Sequence, residues 1–150
     1  MDSDSEDFDD YCTYQNCLIN KIDGIFLSDW EAAAKLDILE ELGIKKVISL
    51  GNREELEKYV YHEGIEYLKI EIEDEENENI SQHFEITNKF IDNETLVHCH
   101  KGISRSVTIV MAYLMSKNMS YLSAFYKIKA VRPFINPNIG FMDQLSKYYT

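Results

Sequence analysis

Apolar and polar positions follow one another in short, changing periods along the chain, and the changes mark out its elements. Two apolar segments, Cys17 to Ile22 and Gly24 to Leu27, flank Asp23-Gly24 and predict a β-hairpin, because Asp-Gly suits a tight two-residue turn. Ala32, Ala33, Leu36, Leu39 and Leu42 recur at helical spacing. They predict one helix from Trp30 to Leu42, capped by Ser28 or Asp29 and stopped by Gly43. Val47 to Leu50 reads as a short strand, Arg53 to His62 as a surface helix stopped by Gly64, and Ile65 to Ile72 as an alternating strand. Glu73 to Asn79 has no periodicity and reads as an acidic loop. Ile80 to Ile91 carries Ile80, Phe84, Thr87 and Ile91 on one helical face. Leu96-Val97 reads as the end of a buried strand, and Val107 to Met115 as a buried helix. Ser120 caps a helix in which Ala124, Phe125, Ile128 and Val131 recur. Beyond Pro133 and Pro137, Asn138 caps a last helix carrying Phe141, Leu145 and Tyr148.

Strands and helices alternate through the first two thirds, and helices alone follow. That order predicts an α/β fold: a central, mostly parallel twisted sheet of about five strands flanked by helices. With 150 residues and no repeat or Pro/Gly/Ser-rich linker, one domain over 15–150 is expected. Residues 1–14 are expected to form an acidic, flexible tail. Its acidic start is the opposite of a signal or transit peptide, and no apolar run is long enough to span a bilayer. Three cysteines, Cys12, Cys17 and Cys99, do not make a disulfide framework, so a reducing compartment, cytoplasm or nucleus, is expected. The formal charge of −12 disfavours nucleic acid and membrane surfaces as partners. The pattern carries no signal for the oligomeric state.

Charge and composition leave one stretch to explain. Residues 96–107 place a buried strand, a cysteine, a loop with one glycine, an arginine, a serine and an apolar helix in succession. Strand, loop and helix start build an anion site from backbone amides, at the carboxyl end of a strand where α/β folds hold ligands. Cys99 at one end is a nucleophile once it is a thiolate, and the amides, the helix start and Arg105 all favour that charge. Gly102 permits the turn that aims N–H groups inward, so His100, Lys101, Gly102, Ile103 and Ser104 can curl around a tetrahedral dianion. Arg105 can hold two of its oxygens with a planar fork. Ser106 can donate to the sulfur and help it leave, and His98 is an orienter behind the loop. This points to chemistry on a phosphate.

The stretch His98-Cys99-His100-Lys101-Gly102-Ile103-Ser104-Arg105-Ser106 resembles the signature loop of the dual-specificity phosphatases, within the cysteine-dependent protein tyrosine phosphatases. Gly24 to Ser28 with the Ala-rich helix, Gly43 to Ile48, and Arg132-Pro133 with Pro137-Asn138-x-Gly140-Phe141-x-x-Gln144-Leu145 extend the likeness over residues 16 to 149. The small single-domain form is similar to VH1-like and STYX-like proteins, with the catalytic cysteine kept. The resemblance implies a protein tyrosine phosphatase-like fold, phosphorylated protein substrates, no cofactor, and a phosphocysteine mechanism in two steps. In it Cys99 attacks phosphorus, and an aspartate on a separate loop acts first as acid and then as base. Asp74 fills that place: it follows the strand Leu68 to Ile72, precedes the helix at Ile80, and is the only aspartate between Asp37 and Asp92. Asp92, near a helix end, is poorly placed for a mobile acid. Asn138 resembles a residue that braces the loops around the site, although helix capping explains it as well.

Other chemistry fits less well. In an extended segment His98 and His100 face one way and Cys99 the other, so no metal site is expected. The nucleotide-binding Gly-x-x-x-x-Gly-Lys-Ser/Thr pattern is absent. Lys101 is the only lysine in the loop, and the chain is acidic, which disfavours phosphoinositides and RNA 5′ ends. A phosphopeptide-binding module that turns over poorly is the alternative to an enzyme. Trp30, Tyr113 and Phe125 are read as packing residues, and Arg132 as pairing with an acidic helix.

Overall fold

The computed structural model describes residues 19–149. The acidic segment 1–14, Cys12, Cys17 and the start of the first expected strand lie outside that range.

The Asp-Gly hairpin forms. Strands β1 (Ile19–Ile22) and β2 (Ile25–Ser28) pair antiparallel, with Asp23 at φ 50° and Gly24 at φ 88°. Strands β3 (Lys46–Gly51), β4 (Glu66–Glu71) and β5 (Thr95–His98) complete a five-stranded sheet in the order β1-β2-β5-β3-β4. Every pairing after the hairpin is parallel. The inner strands alternate between two cores, as a sheet covered on both faces requires. Ile25, Leu27, Ile48, Leu50 and Val97 face one cluster, while Phe26, Val47 and Leu96 face the other with Ala33, Leu39 and Ile44.

The helix expected from Trp30 to Leu42 is two helices, α1 (Trp30–Ala33) and α2 (Leu36–Glu41). Lys35 between them is extended, with φ −92° and ψ 97°, and the Ala34 carbonyl accepts from His62 Nε2 at 2.8 Å. The break leaves Leu36 at the surface while Leu39 is fully buried. Asp29, not Ser28, is the cap: its carboxylate accepts from the Ala32 N–H at 2.9 Å. The next helix, α3 (Arg53–Lys58), stops short of His62 because Tyr59 turns extended and sends its hydroxyl inward to donate to Leu50 O at 2.9 Å. Ile80 to Ile91 starts as a 3₁₀ turn (Ile80–His83) and continues as α4 (Phe84–Phe90). Helix α5 (Arg105–Ser116) is buried almost all round, and α6 (Tyr121–Val131) and α7 (Ile139–Tyr148) pack against it. Ser120 and Asn138 cap α6 and α7 as expected. Among the described residues no helix is long and apolar enough to cross a membrane.

The parallel register decides where chemistry can sit. Ser28, His98, Ser49 and Lys69 lie side by side across the sheet. The segments that follow β2, β5, β3 and β4 therefore leave from one edge, and they carry Trp30, Cys99, Glu55 and Asp74 respectively.

Candidate active site

The site begins at the end of β5. His98 is fully buried, and burial pushes its pKa down to about 4, so the ring is neutral near pH 7. Its Nδ1 lies 3.2 Å from the Cys99 carbonyl, which can only accept, so the proton sits on Nδ1. Nε2 then accepts from Ser49 Oγ at 2.7 Å. This pins the main chain of Cys99 to the sheet. The thiol, 2% exposed, meets the Gly102 N–H at 3.2 Å and Ser106 Oγ at 3.1 Å.

Arg132 holds the loop from behind. It is 1% exposed; its Nε donates to Gly102 O at 2.8 Å, its Nη2 to Lys101 O at 3.4 Å, and its Nη1 to Asn20 Oδ1 at 2.8 Å. Two loop carbonyls are thus turned toward the back. Arg132 therefore binds the loop and β1, and its charge also acts on Asp29, the cap of α1. Gly102, at φ 67°, is squeezed between Arg132 and β2: a Cβ there would stand 2.5 Å from Arg132 Nη2 and 2.7 Å from Ser28 O.

Arg105 opens α5 and is 7% exposed. A guanidinium has five N–H donors in fixed directions. Nη1 gives its two to Glu55 Oε1 at 2.7 Å and Ile72 O at 2.9 Å, and Nη2 gives one to Glu55 Oε2 at 3.4 Å. One Nη2 hydrogen and the buried, unpartnered Nε–H remain. These two form the edge of the fork that is free for two oxygens of an anion. Burial of Glu55 opposes its charge, but the bonds from Arg105 and the Asn52 N–H outweigh it and hold the carboxyl below its usual range. Burial likewise opposes the charge of Arg105, and Glu55 and Cys99 reverse that effect, so the guanidinium stays protonated.

Asp74 comes from the acidic loop after β4. Its Oδ1 accepts from Ser104 Oγ at 2.6 Å and Asn138 Nδ2 at 2.9 Å. Asn138 also caps α7 through Oδ1, and its N–H donates to Ser104 Oγ at 3.0 Å, so it joins the helix start to the Asp74 and Ser104 loops. Asp74, Cys99, Arg105, Glu55, His100 and Lys101 share one pocket of about 300 Å³, which Ile103 and Ser104 also line. Asp92 lies at the opposite edge of the sheet, paired with Lys46 at 3.3 Å beside Thr95.

The dual specificity phosphatase catalytic domain family matches residues 25–150. The chain belongs to this family. It is 40% identical over 135 residues to MAP kinase phosphatase with leucine-rich repeats protein 3 of Dictyostelium discoideum, covering 85% of this chain and 15% of that protein. It is 37% identical over 134 residues to dual specificity protein phosphatase 22-A of Danio rerio, covering 85% of this chain and 62% of that protein. The chain thus spans less than two thirds of either relative. Among solved structures it superposes on a human tyrosine phosphatase-like serine/threonine/tyrosine-interacting protein with a TM-score of 0.83 and 34% identity, covering 89% of this chain and 95% of that one. The α/β fold with its five-stranded sheet is that of the small dual specificity phosphatases, and Cys99 is present at the loop.

Every residue singled out in the sequence as a site member, His98 through Ser106 with Asp74 and Asn138, is gathered at this one edge. Three neighbours were missed, Glu55, Trp30 and Asn136, the last lining the pocket with its N–H on Ile103 O at 2.9 Å. Glu55 sits on what reads as a plain surface helix; the only hint is Asn52-Arg53-Glu54-Glu55, a capping-box spacing that the structure realises in full. Trp30, expected only to pack, stacks on His100 with ring centroids 5.8 Å apart and 9° between planes. Both His98 and His100 face Tyr59, as alternation about Cys99 requires.

Proposed function

We propose that this domain is an active protein phosphatase that hydrolyses phosphotyrosine and phosphoserine or phosphothreonine through a phosphocysteine on Cys99. The observation that carries the reading is the convergence on one pocket of a buried sulfur with an N–H donor and the two free N–H donors of Arg105. In the first step the Cys99 thiolate attacks phosphorus, an S–P bond forms and the P–O bond to the substrate breaks. Asp74 gives its proton to the departing oxygen. Ser104 and Asn138 bind Oδ1, which leaves Oδ2 to carry that proton. In the second step Asp74 takes a proton from water as its oxygen attacks phosphorus, and the thiolate leaves with help from the Ser106 hydroxyl. Arg105 and the amides of His100 to Ser104 hold the phosphoryl oxygens in both steps. No cofactor or metal enters. Substrates are phosphorylated proteins within the cell, and nucleic acid and membranes are not partners.

Hydrolysis of an aryl phosphate tests this. Cys99→Ser is expected to abolish turnover. Asp74→Ala is expected to slow the reaction about 100-fold. A second reading, a phosphopeptide-binding module, is favoured by the likeness to the serine/threonine/tyrosine-interacting proteins, such as the human one at 37% identity. It prevails if the wild-type protein binds phosphopeptides without turning over any aryl phosphate. Faster hydrolysis of inositides or triphosphorylated RNA than of phosphopeptides would move the substrate class away from proteins.

A further inference from the structure

One buried polar atom in the pocket has no part in the reaction just described. His100 Nδ1 is shielded from solvent, has no hydrogen-bond partner, and stands 3.8 Å from Glu55 Oε2. Stacking holds the plane of the ring, and the edge that carries Nδ1 is turned toward Glu55 in this structure. The ring stacks on Trp30 and lies 6.3 Å from the Tyr59 ring at 19°, and the His100 carbonyl accepts the Trp30 N–H at 3.2 Å. A neutral imidazole carries one proton, on one nitrogen or the other. With the proton on Nε2, a lone pair on Nδ1 faces a carboxylate oxygen and two acceptors confront each other. With the proton on Nδ1, a donor faces that oxygen. Glu55 Oε2 is also the under-supplied end of its carboxylate. Oε1 accepts at 2.7 Å from Arg105 and 2.8 Å from Asn52, whereas Oε2 has the long 3.4 Å contact to Nη2.

We propose that His100 is a positioning residue: its Nδ1–H attracts Glu55 Oε2 electrostatically across 3.8 Å, beyond hydrogen-bond length, and through Glu55 it keeps the free Nε/Nη2 edge of Arg105 turned into the pocket. The proposal rests on the reading of that pocket as a phosphate site. Without the donor, the 3.4 Å contact alone restrains Oε2, and the carboxylate can rotate toward the guanidinium edge that the substrate needs. The loss then falls on phosphate binding and not on the chemical step, so KM rises while kcat changes little.

Two measurements test it. In the wild-type protein, heteronuclear NMR of the histidine side chains is expected to show the His100 proton on Nδ1; a proton on Nε2 alone overturns the proposal. Among variants, an Asn amide nitrogen overlays Nδ1 and a Gln amide nitrogen overlays Nε2. His100→Gln is expected to weaken binding of inorganic phosphate, and to raise the KM for an aryl phosphate, by about threefold, the worth of a weak charge contact. His100→Asn is expected to recover most of that loss. Equal weakening by both variants, or by neither, overturns the proposal. If the wild-type protein binds phosphate but hydrolyses nothing, the phosphatase reading fails, and the tautomer and the two affinities still decide the role of His100.

Discussion

A hydrogen atom at position 102 is the condition for the loop to close. A methyl group there meets a buried guanidinium on one side and the β2 backbone on the other, in a backbone conformation that L side chains avoid. Gly102→Ala is therefore expected to cost at least ~1 kcal/mol of stability, read by chemical denaturation, and to reduce kcat/KM far more than any surface Gly→Ala change. Gly64, which has nothing within reach of an added Cβ, supplies the comparison. At this scale the sequence was legible wherever partners are neighbours in the chain. Cys99, Gly102, Arg105 and Ser106 lie within one turn of loop and helix, so their spacing carries their geometry. Glu55 was illegible because it reaches Arg105 across 50 positions, and a carboxylate on a polar helix looks the same whether it faces water or a buried guanidinium. The loop contacts of Arg132 were illegible for the same reason: Gly102 and Asn20 are 30 and 112 positions away.

Among the elements, α3 links local folding to the site. Asn52 and Glu55 bond each other's backbone as a capping box, and the same Glu55 oxygen that closes the box accepts from Arg105. The short helix thus delivers a carboxylate at a fixed height over the pocket. Asn52→Ala is expected to lower stability by about 1 kcal/mol, the worth of a cap, and in addition to raise KM for aryl phosphates, because Glu55 loses its anchor. A stability loss with unchanged KM would separate the cap from the site. The hairpin, the three parallel strands, α5 and both C-terminal helix caps were legible, since each rests on a local period or a capping residue. The break between α1 and α2 was not. The periodicity of Ala32 to Leu42 fits one helix, and what interrupts it is a hydrogen bond to Ala34 O from His62 on a distant segment.

For the molecule as a whole, the parallel register that lines up Ser28, His98, Ser49 and Lys69 makes the sheet edge and the active site one structure. Stability should report on it through His98. That ring titrates near pH 6.5 in an unfolded chain and at about 4 in the fold, so the native state disfavours its protonation. The sign follows: its contribution is complete above about pH 6.5 and is lost as pH falls toward 4, by ~3 kcal/mol in all. Denaturation at a series of pH values is expected to show this slope, and His98→Asn to flatten it. Legibility at this scale was uneven: the element order gave the layers, but only strand pairing reveals that Glu55 and Asp74 leave from the edge that carries Cys99. The most direct test of the whole account is acid-quench mass spectrometry of Ser106→Ala during turnover of an aryl phosphate, since slowed breakdown should let the intermediate accumulate. The expected result is a phosphoryl group on the peptide containing Cys99, absent from the Cys99→Ser protein; hydrolysis with no such adduct, or an adduct on another residue, would contradict it.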